Sequence, residues 1–172
     1  MRRRILLGVV LTAVVLVGAG LYWFEPWRLV TSTTVQETVP EVAVTSGTPS
    51  GTPGGAVATL VAGGELISHE HDTTGTVQLI RLADDRYQVV LRDLSTSDGP
   101  DLRVWLTDQE VRTGRAGWRV FDDGEHVELG KLKGNHGTQV YDLPAGVDVT
   151  RYRSVSIWCA RFSVSFGAAQ LR

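Results

Sequence analysis

Residues 154–166 read SVSIWCARFSVSF, and this stretch decides the fold class. Apolar side chains first occupy the odd positions 155, 157 and 159, and then the even positions 162, 164 and 166. Side chains along a β-strand alternate between two faces, so one regular strand cannot change parity in this way. The pattern therefore predicts either a β-bulge or a bend between two strands at 160–161, with Cys159 on the inward face.

From residue 56 onward, the rest of the chain shows the same alternation of apolar and polar side chains in short runs. No window carries a sustained helical stripe, and Gly, Asp and Pro separate the runs. A polar, glycine-containing segment at 109–117 is predicted to be an exposed loop. The fold predicted for residues 56–172 is all-β, an antiparallel β-sandwich or barrel-like domain. Its further alternating runs lie at 60–67, 76–82, 87–91, 102–106, 127–132 and 138–141.

The N-terminus carries an apolar stretch at residues 5–24 that contains no charged residue. As a helix this stretch would span roughly 30 Å, the thickness of the hydrocarbon core of a bilayer. Arginines occupy positions 2, 3 and 4, which predicts a short cytoplasmic tail at 1–4. We expect a single-pass protein of the plasma membrane whose C-terminal domain is extracytoplasmic. A cleaved signal peptide is the alternative, and it would export the domain as well.

Residues 25–55 are rich in Pro, Thr, Ser and Gly. Such a composition cannot bury enough apolar surface to fold by itself. We therefore predict a disordered linker between the transmembrane helix and the β domain.

The composition excludes several classes of function. The formal net charge is -2, which offers no basic surface for nucleic acid. The single cysteine cannot form an internal disulfide, and without a Cys-x-x-Cys-His motif the chain cannot hold a covalent c-type haem. Hydrolase signatures are also missing. A turnover enzyme is therefore disfavoured.

Several short sequence motifs, taken in order, resemble those of the DM-thirteen domain family. This domain accompanies DOMON domains in animal Skeletor-type proteins and also occurs alone in bacterial membrane-anchored proteins. The resemblance covers roughly residues 60–172, and it implies a β domain with a role in electron transfer or redox chemistry, centred on the cysteine that maps to Cys159. The motifs are HDTTG at 71–75, GPD at 99–101, LGKLKG at 129–134, GTQVYDLP at 137–144, SVSIWC at 154–159 and FSVSFG at 162–167.

The candidate site residues follow from this cysteine. Cys159 is predicted as the redox residue, and His71, Trp158 and Arg161 as cofactor-binding residues. His69 and His71 are two residues apart, so in a strand they would face one side. Together with Cys159 they form a speculative metal set that would suit copper or zinc.

The cofactor and the partner are not identified by these residues. A metal ion and a non-covalently bound haem both stay open. The expected partners are the membrane, through residues 5–24, and a redox partner or a component of the cell envelope. The alternative function is a non-catalytic binding or structural module of the envelope in which Cys159 only packs.

Overall fold

The computed structural model describes residues 2–42 and 58–172 of the chain. It begins with one long helix, α1 (Arg2–Phe24), and a 3-10 helix (Pro26–Val30). The nine strands of the described part are β1 (Thr34–Gln36), β2 (Thr59–Ser68), β3 (Thr74–Arg81), β4 (Tyr87–Ser95), β5 (Leu102–Thr107), β6 (His126–Lys131), β7 (His136–Asp142), β8 (Ser154–Cys159) and β9 (Val164–Gln170).

The nine strands form one curled sheet that resembles a half-barrel, in the order β1-β7-β4-β3-β2-β9-β8-β5-β6. All neighbours are antiparallel except β1 and β7, which are parallel. The long strand β2 joins the two halves: Thr59–Glu65 pair with β3, and Leu66–Ser68 pair with β9. At Gly64 a Cβ atom would overlap the carbonyl oxygen of Gln170, so this approach of β2 to β9 requires glycine. The all-β, barrel-like prediction is confirmed.

The concave side of the sheet holds the inner core, to which both halves contribute. In the first half, Val89 and Leu91 of the alternating run at 87–91 are fully buried there. From the second half, Val155, Ile157 and Cys159 point into the same cluster, as the odd-position pattern predicts. Burial of this apolar surface is the main contribution to the stability of the fold.

The parity change in residues 154–166 marks a bend between two strands. β8 ends at Cys159, residues 160–163 form a turn, and β9 begins at Val164. Ser163 has a φ of 49°, the left-handed conformation that lets the chain reverse within so few residues. The turn shifts the alternation by one position, so that Val164 and Phe166 return to the inner core.

The convex side of the second half carries its own apolar group, which we call the outer layer: Trp105, Val120, Phe121, Trp158 and Ala168. The connection between β5 and β6 folds over this surface. Its segment 112–116 is exposed, in agreement with the predicted loop, but Gly117 is buried and Phe121 is completely buried. The outer layer explains why every residue of β8 is buried, on both faces of the strand.

The segment predicted as a linker is partly structured. Val35 and its neighbours in β1 pair with residues 136–138 of β7, and the Glu37 carboxylate accepts a hydrogen bond from Lys133 Nζ at 2.8 Å. Gly137, with a φ of 97°, makes room for the close approach, because a Cβ there would overlap the Val35 carbonyl oxygen. The other part of the predicted linker, residues 43–55, lies outside the described residues.

The helix α1 is long and apolar enough to cross a membrane. No residue of it is buried by the rest of the chain, and its large apolar side chains are exposed. This exposure fits a helix whose apolar surface would be covered by lipid.

Candidate functional site

Cys159 is the last residue of β8 and has no exposed surface. It pairs with Leu102 of β5 on one side and with Val164 of β9 on the other. The thiol belongs to the inner core together with Val155 and Ile157. Cys159 is thus sealed within the inner core, directly before the chain turns from β8 into β9. This burial is what the alternative with a packing cysteine expects.

The electrostatics around the sulfur combine two opposing effects. Burial raises the pKa of the Cys159 thiol above its ordinary value. The backbone groups of Phe162, Arg161 and Asp101 act in the opposite direction and lower the pKa of the thiol, since backbone N–H dipoles near a sulfur favour the thiolate. Burial is the larger effect, so the thiol is protonated and weakly nucleophilic in the folded domain.

His69 lies just beyond the end of β2 and belongs to the convex side of the sheet. Its Nε2 is 3.0 Å from the carbonyl oxygen of Arg112, which can only accept, so Nε2 carries the hydrogen. Its Nδ1 is then the acceptor for the Ser165 hydroxyl, at 2.9 Å. Burial lowers the pKa of the His69 imidazole, an effect that the hydrogen bond to Arg112 only partly offsets. His69 is therefore a neutral group that ties the loop to β9.

Trp158 is also on the convex side, opposite to the side that holds its neighbour Cys159. Its indole stacks on Trp105 with the ring centroids 4.9 Å apart, and Phe121 meets it edge-on at 6.4 Å. Trp158 is 1% exposed. In this position Trp158 packs within the outer layer.

His71 lies on a different surface from His69. Its ring packs on Phe166 with a centroid distance of 3.9 Å, and its Nε2 is 2.6 Å from the Glu70 carboxylate. The two histidines diverge because β2 ends at Ser68 and the strand period no longer applies beyond it. His71 is half-buried, at the edge of an open cleft.

Arg161 joins the turn after β8 to the end of α1. Its Nη1 donates to the carbonyl oxygen of Trp23 at 2.8 Å and lies 3.4 Å from the Glu25 carboxylate. The guanidinium also lies over the indole ring of Trp23 at 5.7 Å. Next to it, the rings of Phe24 and Phe162 stack at 5.8 Å. These contacts place the turn that follows Cys159 against the C-terminal end of the apolar helix.

The structure does not bring the predicted metal set together. Cys159 is in the inner core, His69 on the convex side and His71 at the cleft. Within residues 2–42 and 58–172, no group of three or more His, Cys, Asp or Glu side chains is arranged to hold a metal ion. The donor set thus lacks the geometry for copper or zinc in this conformation.

The cleft beside His71 has a volume of about 560 Å³. It lies between the end of α1, the turn after β8 and the loop that follows β5. Sequence reasoning did not anticipate it, because Phe24, Trp118 and Phe162 come from three separate segments. Its apolar wall consists mainly of Phe24, Pro26, Pro100, Phe162, Val164 and Phe166.

The fold and the site define a class of protein: a curled β domain with one sealed cysteine, attached to an apolar helix. A family model described as "Electron transfer DM13" matches residues 65–171. The chain therefore belongs to the DM13 electron-transfer family, and the resemblance found in the sequence motifs is confirmed. No curated protein and no solved structure matches the chain.

Proposed function

We propose that this protein is an electron-transfer domain held at the outer surface of the plasma membrane by residues 5–24, with Cys159 as its redox group. The observation that carries the proposal is the match to the electron-transfer family over residues 65–171. The arginines at positions 2–4 support the outward orientation, because positive charge stays cytoplasmic.

The position of Cys159 supports its assignment. Cys159 directly precedes the turn that packs against the end of α1, where Arg161 Nη1 donates to the carbonyl oxygen of Trp23. Oxidation would require the turn at 160–163 to open, because disulfide exchange and sulfenic acid formation need contact with the oxidant. With a partner disulfide as oxidant, the thiol loses its proton, its sulfur bonds to one partner sulfur, and the other partner sulfur leaves as a thiolate.

The second candidate is an envelope module in which Cys159 only packs. It is supported by the complete burial of the side chain and by the raised pKa of its thiol. The two candidates differ in how the thiol becomes accessible. A redox group needs local opening of the turn, whereas a packing residue is exposed only when the domain unfolds.

The direct test incubates the full chain in a lipid bilayer with a small-molecule disulfide and follows the mixed disulfide by mass spectrometry. We expect a mixed-disulfide signal that added thiol reverses, that is lost in Cys159→Ser and that is retained in Ser154→Ala, which alters a serine in the same strand. If the wild-type protein gives no signal, or if Cys159→Ser keeps it, Cys159 is not the redox group.

Thiol labelling in urea below the unfolding transition tests the opening of the turn. Local opening predicts a labelling rate that does not depend on urea, and a faster rate in Arg161→Ala, which releases the turn from Trp23. Arg151→Ala is the matched control, since it removes an exposed arginine that pairs with Glu125. A rate that rises with urea as global unfolding does would favour the packing module.

A further inference from the structure

The cleft at the end of α1 is open and mostly apolar, and it is separate from the sealed thiol. Phe24, the last residue of α1, forms part of its wall and stacks on Phe162 of the domain. When residues 5–24 cross a bilayer, Phe24 lies at the level of the lipid headgroups. The cleft therefore faces the membrane surface, where a molecule dissolved in the lipid can enter it without crossing water.

The size and the wall of the cleft fit a flat ring. Its volume of about 560 Å³ falls within the range of roughly 300–1,000 Å³ that is usual for small-molecule sites. Phe162, Phe166 and Trp118 supply aromatic faces or edges, and the His71 ring packs on Phe166. Aromatic groups stack favourably on planar rings in such surroundings.

The charges of the cleft argue against an anionic lipid. Three carboxylates and two arginines line it, namely Glu25, Glu70, Asp98, Arg28 and Arg119. Arg28 is already paired with Glu25 and lies 3.6 Å from Asp98, and its pKa is raised by these partners. A phosphate would thus meet an excess of negative charge, whereas a neutral headgroup would not.

Arg119 at the rim of the cleft can donate hydrogen bonds to a neutral ring. The Arg119 guanidinium carries five N–H groups, and in the described part of the chain it makes one hydrogen bond, from Nη1 to the Phe162 carbonyl oxygen at 3.4 Å. Its other N–H groups can donate to a carbonyl oxygen of a ligand. A ring that bears carbonyl acceptors therefore matches both the apolar wall and the polar rim.

We propose that this cleft binds a membrane quinone, with the quinone ring between the aromatic side chains and a ring carbonyl at Arg119. The inference rests on the proposed function, because an electron-transfer domain held at a membrane can exchange electrons with a lipid-soluble redox partner. It identifies the redox partner as a quinone bound in the cleft and not as a soluble protein.

The test uses the full chain in phosphatidylcholine nanodiscs and a benzoquinone with a decyl tail. Bound quinone is measured as the excess over nanodiscs without protein. We expect saturation at one quinone per chain, and an affinity about ten-fold weaker in Trp118→Leu and in Arg119→Gln. The matched controls are Trp27→Leu and Arg112→Gln, which alter a tryptophan and an arginine that do not line the cleft.

Several outcomes would overturn the inference: binding that does not saturate, equal loss in the controls, or displacement of the quinone by phosphatidylglycerol. A haem absorption band in the purified protein would assign the cleft to haem instead. Arg119 is exposed, so Arg119→Gln should fold even if Trp118→Leu does not. Quinone binding without a Cys159 signal would refute only the proposed function, and a signal without quinone binding would refute only this inference.

Discussion

The outer layer and the cleft are built from the same kinds of residue, yet one is closed and the other is open. In the outer layer, the loop after β5 brings Phe121 over His69, and the two rings stack with a centroid distance of 5.7 Å. At the cleft, His71 packs on Phe166, and the end of α1 leaves a cavity beside them. The cover above the side chains, rather than their chemistry, decides whether a histidine and a phenylalanine stabilise the fold or line a site.

The largest expected effect compares one phenylalanine from each region. Phe121→Ala removes a completely buried ring and should lower the free energy of unfolding by about 3–5 kcal/mol. Phe162→Ala removes a half-buried ring that borders the cleft, and it should cost less than about 2 kcal/mol because part of the ring is already in contact with solvent.

Urea denaturation of both variants measures the two losses. Equal losses would show that the cleft is as tightly packed as the outer layer, and the comparison between the two regions would fail.

The next effect concerns the thiol behind the cleft wall. In Cys159→Ser a hydroxyl replaces a thiol in a site with no exposed surface, which should cost about 1–3 kcal/mol if the hydroxyl finds no acceptor. Cys159→Ala is the control, because it removes the sulfur without adding a polar group. A Ser variant that is at least as stable as the Ala variant would indicate that polar groups reach this position.

The smallest effect is a pH dependence of stability that comes from His69. The pKa of His69 is lowered in the folded domain, so the unfolded chain binds the proton more readily. Its contribution to stability is complete above the ordinary value of about 6.5, and it is lost as the pH falls from there through the lowered folded pKa.

Unfolding midpoints measured between pH 7.5 and pH 4.5 should therefore fall with pH in the wild type. His69→Gln should flatten this decline, because it removes the group whose pKa burial lowers. An identical pH profile for the wild type and His69→Gln would contradict the burial of a neutral His69.

The local sequence pattern was sufficient to predict the all-β class and the face of the strand on which Cys159 lies. The period of two in residues 154–166 placed Val155, Ile157 and Cys159 inward, and its break at 160–161 predicted either a β-bulge or a bend, of which the structure shows the bend. The apolar stretch at 5–24 likewise specified a helix of membrane length. These features depend only on residues close in sequence, so the backbone period is enough to predict them.

The tertiary structure decided what covers each surface. Val35 pairs with Gly137, about a hundred residues further along the chain. The composition of residues 25–55, which predicted a linker, could not predict this pairing. His69 and His71 separate because the chain leaves the strand at Ser68. Phe121 is completely buried although residues 112–116 of the same loop are exposed. The cleft needs Phe24 and Phe162 to meet. Such contacts depend on how distant segments pack, which the periodicity of either segment alone does not specify.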